Sequence, residues 1–181
     1  MELKNYIQVF ENTMELKLIS SFIKYLNNQN FEQGKIVKDT NEPDFVDNET
    51  RRVQTLQLKR DENNLSKTHW FNYWCNFFNF YLDKYHKNLN LFTSSSGITS
   101  IEALKYEEGG FYKPHTDYHF KFPRNVSIIY FLNNDYQGGE LNFHNPSNWD
   151  EKFLTVKPSC GKLIMWPSNY LFPHAVTPIK K

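Results

Sequence analysis

The sequence predicts an α+β chain that is mainly β, with a small antiparallel barrel or sandwich in its second half and two supporting helices in its first. Three observations carry this expectation. Apolar residues recur at helical spacing in two stretches before residue 90, and short apolar runs broken by Gly, Pro and Asn follow from Ser100 onward. In addition, 17% of the residues are aromatic, enough for a core of large side chains. At 181 residues the chain fits a single domain, 1–181, with a strand and helices in 1–99 and the sheet-built part in 100–181.

In chain order, Asn5 to Phe10 reads as a short strand. Asn12, with Glu15 three residues on, predicts an N-cap, and the helix it opens runs to about Asn28 because Leu16, Ile19, Phe22, Ile23 and Leu26 share one face. Residues 32–52 are polar and rich in turn formers, Pro43 among them, and predict a surface loop before a strand from Val53 to Leu58. Ser66 then predicts the cap of a long helix to about Lys87. Its residues Trp70, Phe71, Trp74, Phe77, Phe78, Tyr81, Leu82 and Tyr85 form an aromatic stripe at helical spacing, read as core packing rather than as a cofactor or nucleic-acid face. His69 and His86 on the same helix read as bystanders. Further on, the turns at Glu107 to Gly110, Gly138-Gly139 and Pro158 to Gly161 punctuate short strands, the run Val126 to Leu132 among them. His144, beside Asn145-Pro146, reads as a loop residue, with a metal role as the alternative.

The formal net charge of +1 and the pI near 7.7 supply no long-range field for nucleic acid or an anionic membrane, and Arg51-Arg52 and Lys180-Lys181 are only pairs. Neither a signal peptide nor a membrane-spanning run stands out. The cysteines Cys75 and Cys160 make neither a disulfide framework nor a metal spacing, so a reducing, cytoplasmic location is expected. Oligomeric state is left open by the sequence.

The residues that carry chemistry are His115 and Asp117, in Tyr112-Lys113-Pro114-His115-Thr116-Asp117, and His174 far downstream in Phe172-Pro173-His174-Ala175-Val176. His-x-Asp alone arises often by chance. On an extended segment, though, residues two apart face the same way, so His115 and Asp117 would point together into one barrel mouth, and His119 shares their parity. His174 is then expected from a strand opposite. Two imidazoles and a carboxylate with the other coordination positions open form the facial set that suits non-heme Fe(II).

Beyond these residues, the stretch from about Ala103 to Ile179 resembles the catalytic core of the prolyl 4-hydroxylase branch of the 2-oxoglutarate- and Fe(II)-dependent dioxygenases. The matching blocks, in order, are Tyr106 to Tyr112 leading into His-x-Asp, Arg124 to Asn133, Gly138 to Phe143, Pro158 to Leu163, and His174 to Ile179. The resemblance implies a double-stranded β-helix, or jelly-roll, core with supporting N-terminal helices. It also implies Fe(II) held by His115, Asp117 and His174, 2-oxoglutarate and O2 as co-substrates, and ascorbate as an accessory reductant. The implied reaction is hydroxylation of a C–H bond, in a prolyl or other residue of a peptide or protein, with release of succinate and CO2. A free small molecule is the lesser expectation for the substrate. Two neutral imidazoles and one carboxylate leave Fe(II) with net positive charge, which suits an anionic co-substrate.

By the same resemblance Tyr106 is a co-substrate-binding candidate and Arg124 a substrate-facing one; on strand parity alone, Tyr112, a candidate for substrate contact, and His119 are expected to line the entrance. Taken alone, Tyr106 reads equally as a packed strand aromatic and Arg124 as an exposed charge. A loop at 32–52 lies over the pocket in such enzymes, although a plain connector fits the residues as well. The family's basic partner for the distal carboxylate of 2-oxoglutarate falls beyond Lys181, so the expectation is either a fragment lacking its last strand or a carboxylate held otherwise. Two readings compete with the hydroxylase: a cupin-like metal enzyme that uses no keto acid, and an inactive peptide-binding relative.

Overall fold

In the computed structural model residues 2–36, 43–91, 97–118 and 123–180 are described. A 3₁₀ turn at Leu3–Tyr6 precedes β1 (Gln8–Phe10), so the predicted N-terminal strand is shorter than its apolar run. The first helix, α1, spans Leu16–Leu26. It begins later than predicted because Asn12 takes a left-handed φ of 51° and no side chain caps the helix. Thr13 instead donates through Oγ1 and its amide to the carbonyl of Gly161. Ile19, Phe22 and Leu26 are buried as expected, whereas Leu16, on the first turn, is 67% exposed.

The polar stretch 32–52 is not wholly a loop. It contains β2 (Glu32–Gln33) and β3 (Arg51–Arg52), with an isolated bridge between Ile36 and Phe45. Next come β4 (Gln54–Leu58) and the long helix α2 (Leu65–Asn88). Asn64, not Ser66, caps α2, its side chain accepting from the Lys67 amide. Asparagine and serine are near-equal caps, and here the chain enters the helix two residues early.

The second half supplies β5 (Ile101–Lys105), β6 (Phe111–His115), β7 (Val126–Tyr130), β8 (Leu141–Asn145), β9 (Asn148–Val156), β10 (Leu163–Pro167) and β11 (His174–Val176). All the pairings are antiparallel, in sheets of order β1-β10-β7, β3-β6-β11-β8-β9 and β2-β4-β5. This is the double-stranded β-helix arrangement, mostly β with two helices. Strands β1 and β3 come from the first half of the chain and complete sheets built in the second.

The aromatic stripe of α2 is core, as its spacing predicts. Trp70, Trp74, Tyr81, Leu82 and Tyr85 are buried, with Trp74 centred 4.9 Å from Phe22 of α1 and 5.0 Å from Tyr130 of β7. At the other end of the helix the Tyr85 hydroxyl donates to the Tyr6 carbonyl at 2.9 Å. A second cluster, of Leu141, Phe143, Ile164, Trp166 and Phe172, fills the space between β8 and β10. The helices and this cluster together hold the sheets that carry the site.

Candidate metal centre

His115 closes β6 and His174 opens β11, and the two are register partners across hydrogen-bonded strands. The second histidine therefore comes from the neighbouring strand of the same sheet rather than from a strand opposite. That neighbourhood is why the imidazole centroids lie only 4.3 Å apart. Asp117 sits past the end of β6, so strand alternation does not aim it. Its carboxylate is instead turned toward the second sheet, where Ser127 of β7 donates to Oδ2 at 2.5 Å and the Ser127 hydroxyl shares a 2.7 Å hydrogen bond with Ser168.

The ligand atoms of His115, Asp117 and His174 all lie within 4.8 Å of one another. Nε2 of His115 is 3.8 Å from Asp117 Oδ1, and Nε2 of His174 is 3.6 Å from Oδ2. Both Nδ1 atoms face backbone carbonyls, of Lys113 at 2.8 Å and Phe172 at 3.0 Å. A carbonyl can only accept, so Nδ1 carries the hydrogen and Nε2 presents its lone pair to the centre. Two imidazole nitrogens and a carboxylate oxygen aimed at one point, each braced from behind, fit a divalent first-row ion such as Fe(II).

Packing fixes the rings. His174 is 3% exposed, with the Trp166 ring 4.9 Å away in an edge-on contact. Tyr112 stacks flat on His115 at a centroid distance of 3.5 Å, and the guanidinium of Arg51 lies over the other aromatic ring of that stack, 4.9 Å from the Tyr112 centroid. Burial, reinforced by the facing His174, pushes the pKa of His115 well below the ordinary imidazole range. For Asp117 burial works upward, but His174, His115, the Ser127 hydrogen bond and Arg124 together outweigh it and hold the carboxyl below its usual value. At this pair the centre therefore favours a neutral His115 imidazole beside an ionised Asp117 carboxylate, the protonation state in which both can ligate a metal.

One large cavity has these residues on its wall, and Tyr106, Tyr112 and Arg124 line it too. Burial raises the Tyr106 hydroxyl pKa well above the phenol range, so it enters the cavity as a neutral donor. Tyr112 is shifted upward for the same reason, while Arg51 and Arg124 both pull it down. Lys35, Ile36 and Arg51 from the 32–52 stretch line the same space. His119 lies outside the described residues. His144 is no loop residue: it sits buried in β8, its Nδ1 bound to the Trp149 carbonyl across the β8–β9 hairpin, and it is not one of the three grouped ligand residues. Sequence reasoning did not single out Arg51, Ser127 or Ser168. Arg51 hides in a polar stretch that reads as a loop, and a serine's hydroxyl has no periodic signature.

Residues 101–181 match the family model of the 2OG-Fe(II) oxygenase superfamily. No curated protein sequence matches the chain. Among solved structures, it is similar to a Trichoplax adhaerens prolyl hydroxylase in complex with a hypoxia inducible factor oxygen degradation domain peptide, with a TM-score of 0.76 at 17% identity over 97% of this chain and 79% of that one. A Pseudomonas putida prolyl-4-hydroxylase superposes with a TM-score of 0.69 at 18% identity, covering 97% and 87% of the two chains. The viral collagen prolyl hydroxylase of Paramecium Bursaria Chlorella virus-1, in its 2OG complex, gives a TM-score of 0.65 at 14% identity, covering 97% and 90%. No helix among the described residues is long and apolar enough to cross a membrane. The chain accordingly has the prolyl 4-hydroxylase-like fold, and its residues 101–181 are similar to the 2OG-Fe(II) oxygenase superfamily.

Proposed function

We propose that the chain hydroxylates a C–H bond in a prolyl, or other, residue of a peptide or protein, releasing succinate and CO2. The observation that carries this reading is the convergence of His115, Asp117 and His174 on one point in the wall of a cavity large enough for a peptide segment. In it, Nε2 of His115, Nε2 of His174 and a carboxylate oxygen of Asp117 hold Fe(II). The bound iron supplies dioxygen activation coupled to decarboxylation of the keto acid. Ser127, with Ser168 behind it, holds Oδ2 of Asp117 so that the carboxylate keeps one orientation. Tyr106 offers its neutral hydroxyl to 2-oxoglutarate, while Arg124 and Tyr112 face the substrate.

Ascorbate, a cytoplasmic setting and action of residues 1–181 as one unit belong to the same proposal. The free thiols Cys75 and Cys160 accord with a reducing compartment. The deciding experiment follows metal binding and succinate formation in His115→Ala, Asp117→Ala and His174→Ala. Each variant is expected to lose both. Undiminished succinate formation in any one of them sinks the assignment.

A further inference from the structure

The charged group left most conspicuously unused in this cavity is the guanidinium of Arg51. Its side chain is only 13% exposed, and its Nε is buried with no hydrogen-bond partner among the described residues. Nη1 is occupied, donating to the Lys35 carbonyl at 2.8 Å. Nη2 lies 3.9 Å from the half-exposed Glu102 carboxylate, beyond hydrogen-bond length. Nε and Nη2 form one edge of the guanidinium fork, the edge that takes a carboxylate through two parallel N–H···O bonds. In Arg51 that edge is thus the unfilled one.

Its position gives the vacancy meaning. Arg51 is paired with Tyr112 in the β3–β6 ladder, lies over the Tyr112 ring and is separated by that ring from His115. The stack leaves the guanidinium one aromatic layer from the metal-ligating imidazole, on the wall of the same cavity. Leaving the buried Nε donor without a hydrogen bond is costly, and an incoming carboxylate repays that cost.

We propose that Arg51 is a carboxylate-binding residue of this cavity, taking the acidic end of a ligand on its Nε–Nη2 edge. The inference rests on the oxygenase reading above, which brings two carboxylate sources into the cavity: the distal carboxylate of 2-oxoglutarate, and an acidic side chain next to the target residue of a peptide. Arg124, which also lines the cavity, is not required for it.

The test is calorimetric binding to the Mn(II)-loaded chain, comparing wild type with Arg51→Gln and Arg51→Lys. One arm titrates 2-oxoglutarate against 2-oxopentanoate, which lacks the distal carboxylate. The other titrates a Pro-containing peptide flanked by Glu against its Gln counterpart. The expected result is an affinity loss of about 10- to 100-fold in Arg51→Gln for the carboxylate-bearing ligand of one arm, with its carboxylate-free counterpart unchanged. The arm that responds identifies the source. Arg51→Lys, which keeps the charge and loses the fork, should fall between the two and guards against a folding artefact. Equal losses for both ligands of each pair, or no loss in either arm, overturn the inference while leaving the oxygenase reading intact. A wild-type chain that binds Mn(II) but no 2-oxoglutarate overturns the oxygenase reading itself, and this inference with it.

Discussion

At the scale of single residues, the proposed metal centre would depend on groups that do not touch the ion. Ser127 is the clearest. It satisfies Oδ2 of Asp117 and is itself held by Ser168, which is 1% exposed. Ser127→Ala frees the carboxylate to rotate, and the expected outcome is a metal affinity about 10- to 100-fold weaker in a Mn(II) titration, with the fold unchanged by circular dichroism. His115 and Asp117 also predict how the metal-free protein responds to acid. The pKa of His115 is lowered in the folded state, so the unfolded chain accepts a proton that the folded one refuses once pH falls below about 6.5. Asp117 is also depressed, and the stability it contributes above about pH 4 is lost as pH falls through its folded value, in the same direction. Melting of the metal-free protein should therefore shift downward between pH 7.5 and 5.5, and His115→Gln should flatten that shift. Of these residues, His115 and Asp117 were legible in the sequence as a His-x-Asp pair set among the blocks of a known core, although strand alternation does not aim Asp117, which lies past the end of β6. Ser127, Ser168 and Arg51 were not, since their roles arise only when a second sheet or a neighbouring strand is laid beside the ligands.

The elements differ in how far local pattern determined them. The α2 stripe was readable because helical spacing and burial coincide: one face of large rings meets α1, β1 and β7. Trp74→Ala, which empties the contact with Phe22 and Tyr130, is expected to cost about 3–5 kcal/mol in denaturant unfolding. Tyr85→Phe removes a single hydrogen bond to the Tyr6 carbonyl and should cost about 1 kcal/mol. Element boundaries were less legible, because several residues could cap and the sequence does not rank them; Asn64 displaces Ser66, and Asn12 leaves the helix it was expected to open. The short strands β2 and β3 were missed for a different reason. Two-residue strands have no alternation to detect, and only their partners β4 and β6 define them. The Gly138-Gly139 turn was legible and is demanding: Gly138 has a φ of 75°, and a Cβ there would lie 2.1 Å from the Pro178 carbonyl oxygen. Gly138→Ala should lower stability by at least about 1–3 kcal/mol, read from the unfolding midpoint.

For the molecule as a whole, the fold joins segments remote in sequence into one centre, and that was the part legible only through resemblance to a known core. Periodicity pointed to a barrel or sandwich; it did not say that β11 would lie between β6 and β8, which is what brings His174 to His115. Coupling of the ion to the fold follows. An ion that binds only the folded chain stabilises it by about 2.7 kcal/mol at a concentration a hundredfold above its Kd. For a chain of this size that corresponds to roughly 5–10 °C of melting temperature, and the triad variants should show none of this gain.

The pairing of His174 with His115 across one rung has a further consequence. The β6–β11 pairing shifts register just after His174, so a molecule threaded one residue out of step would part that imidazole from His115 and present an incomplete set of donors. Metal stoichiometry in a refolded sample should therefore count the correctly threaded molecules, and the proposed centre would serve as a built-in gauge of assembly.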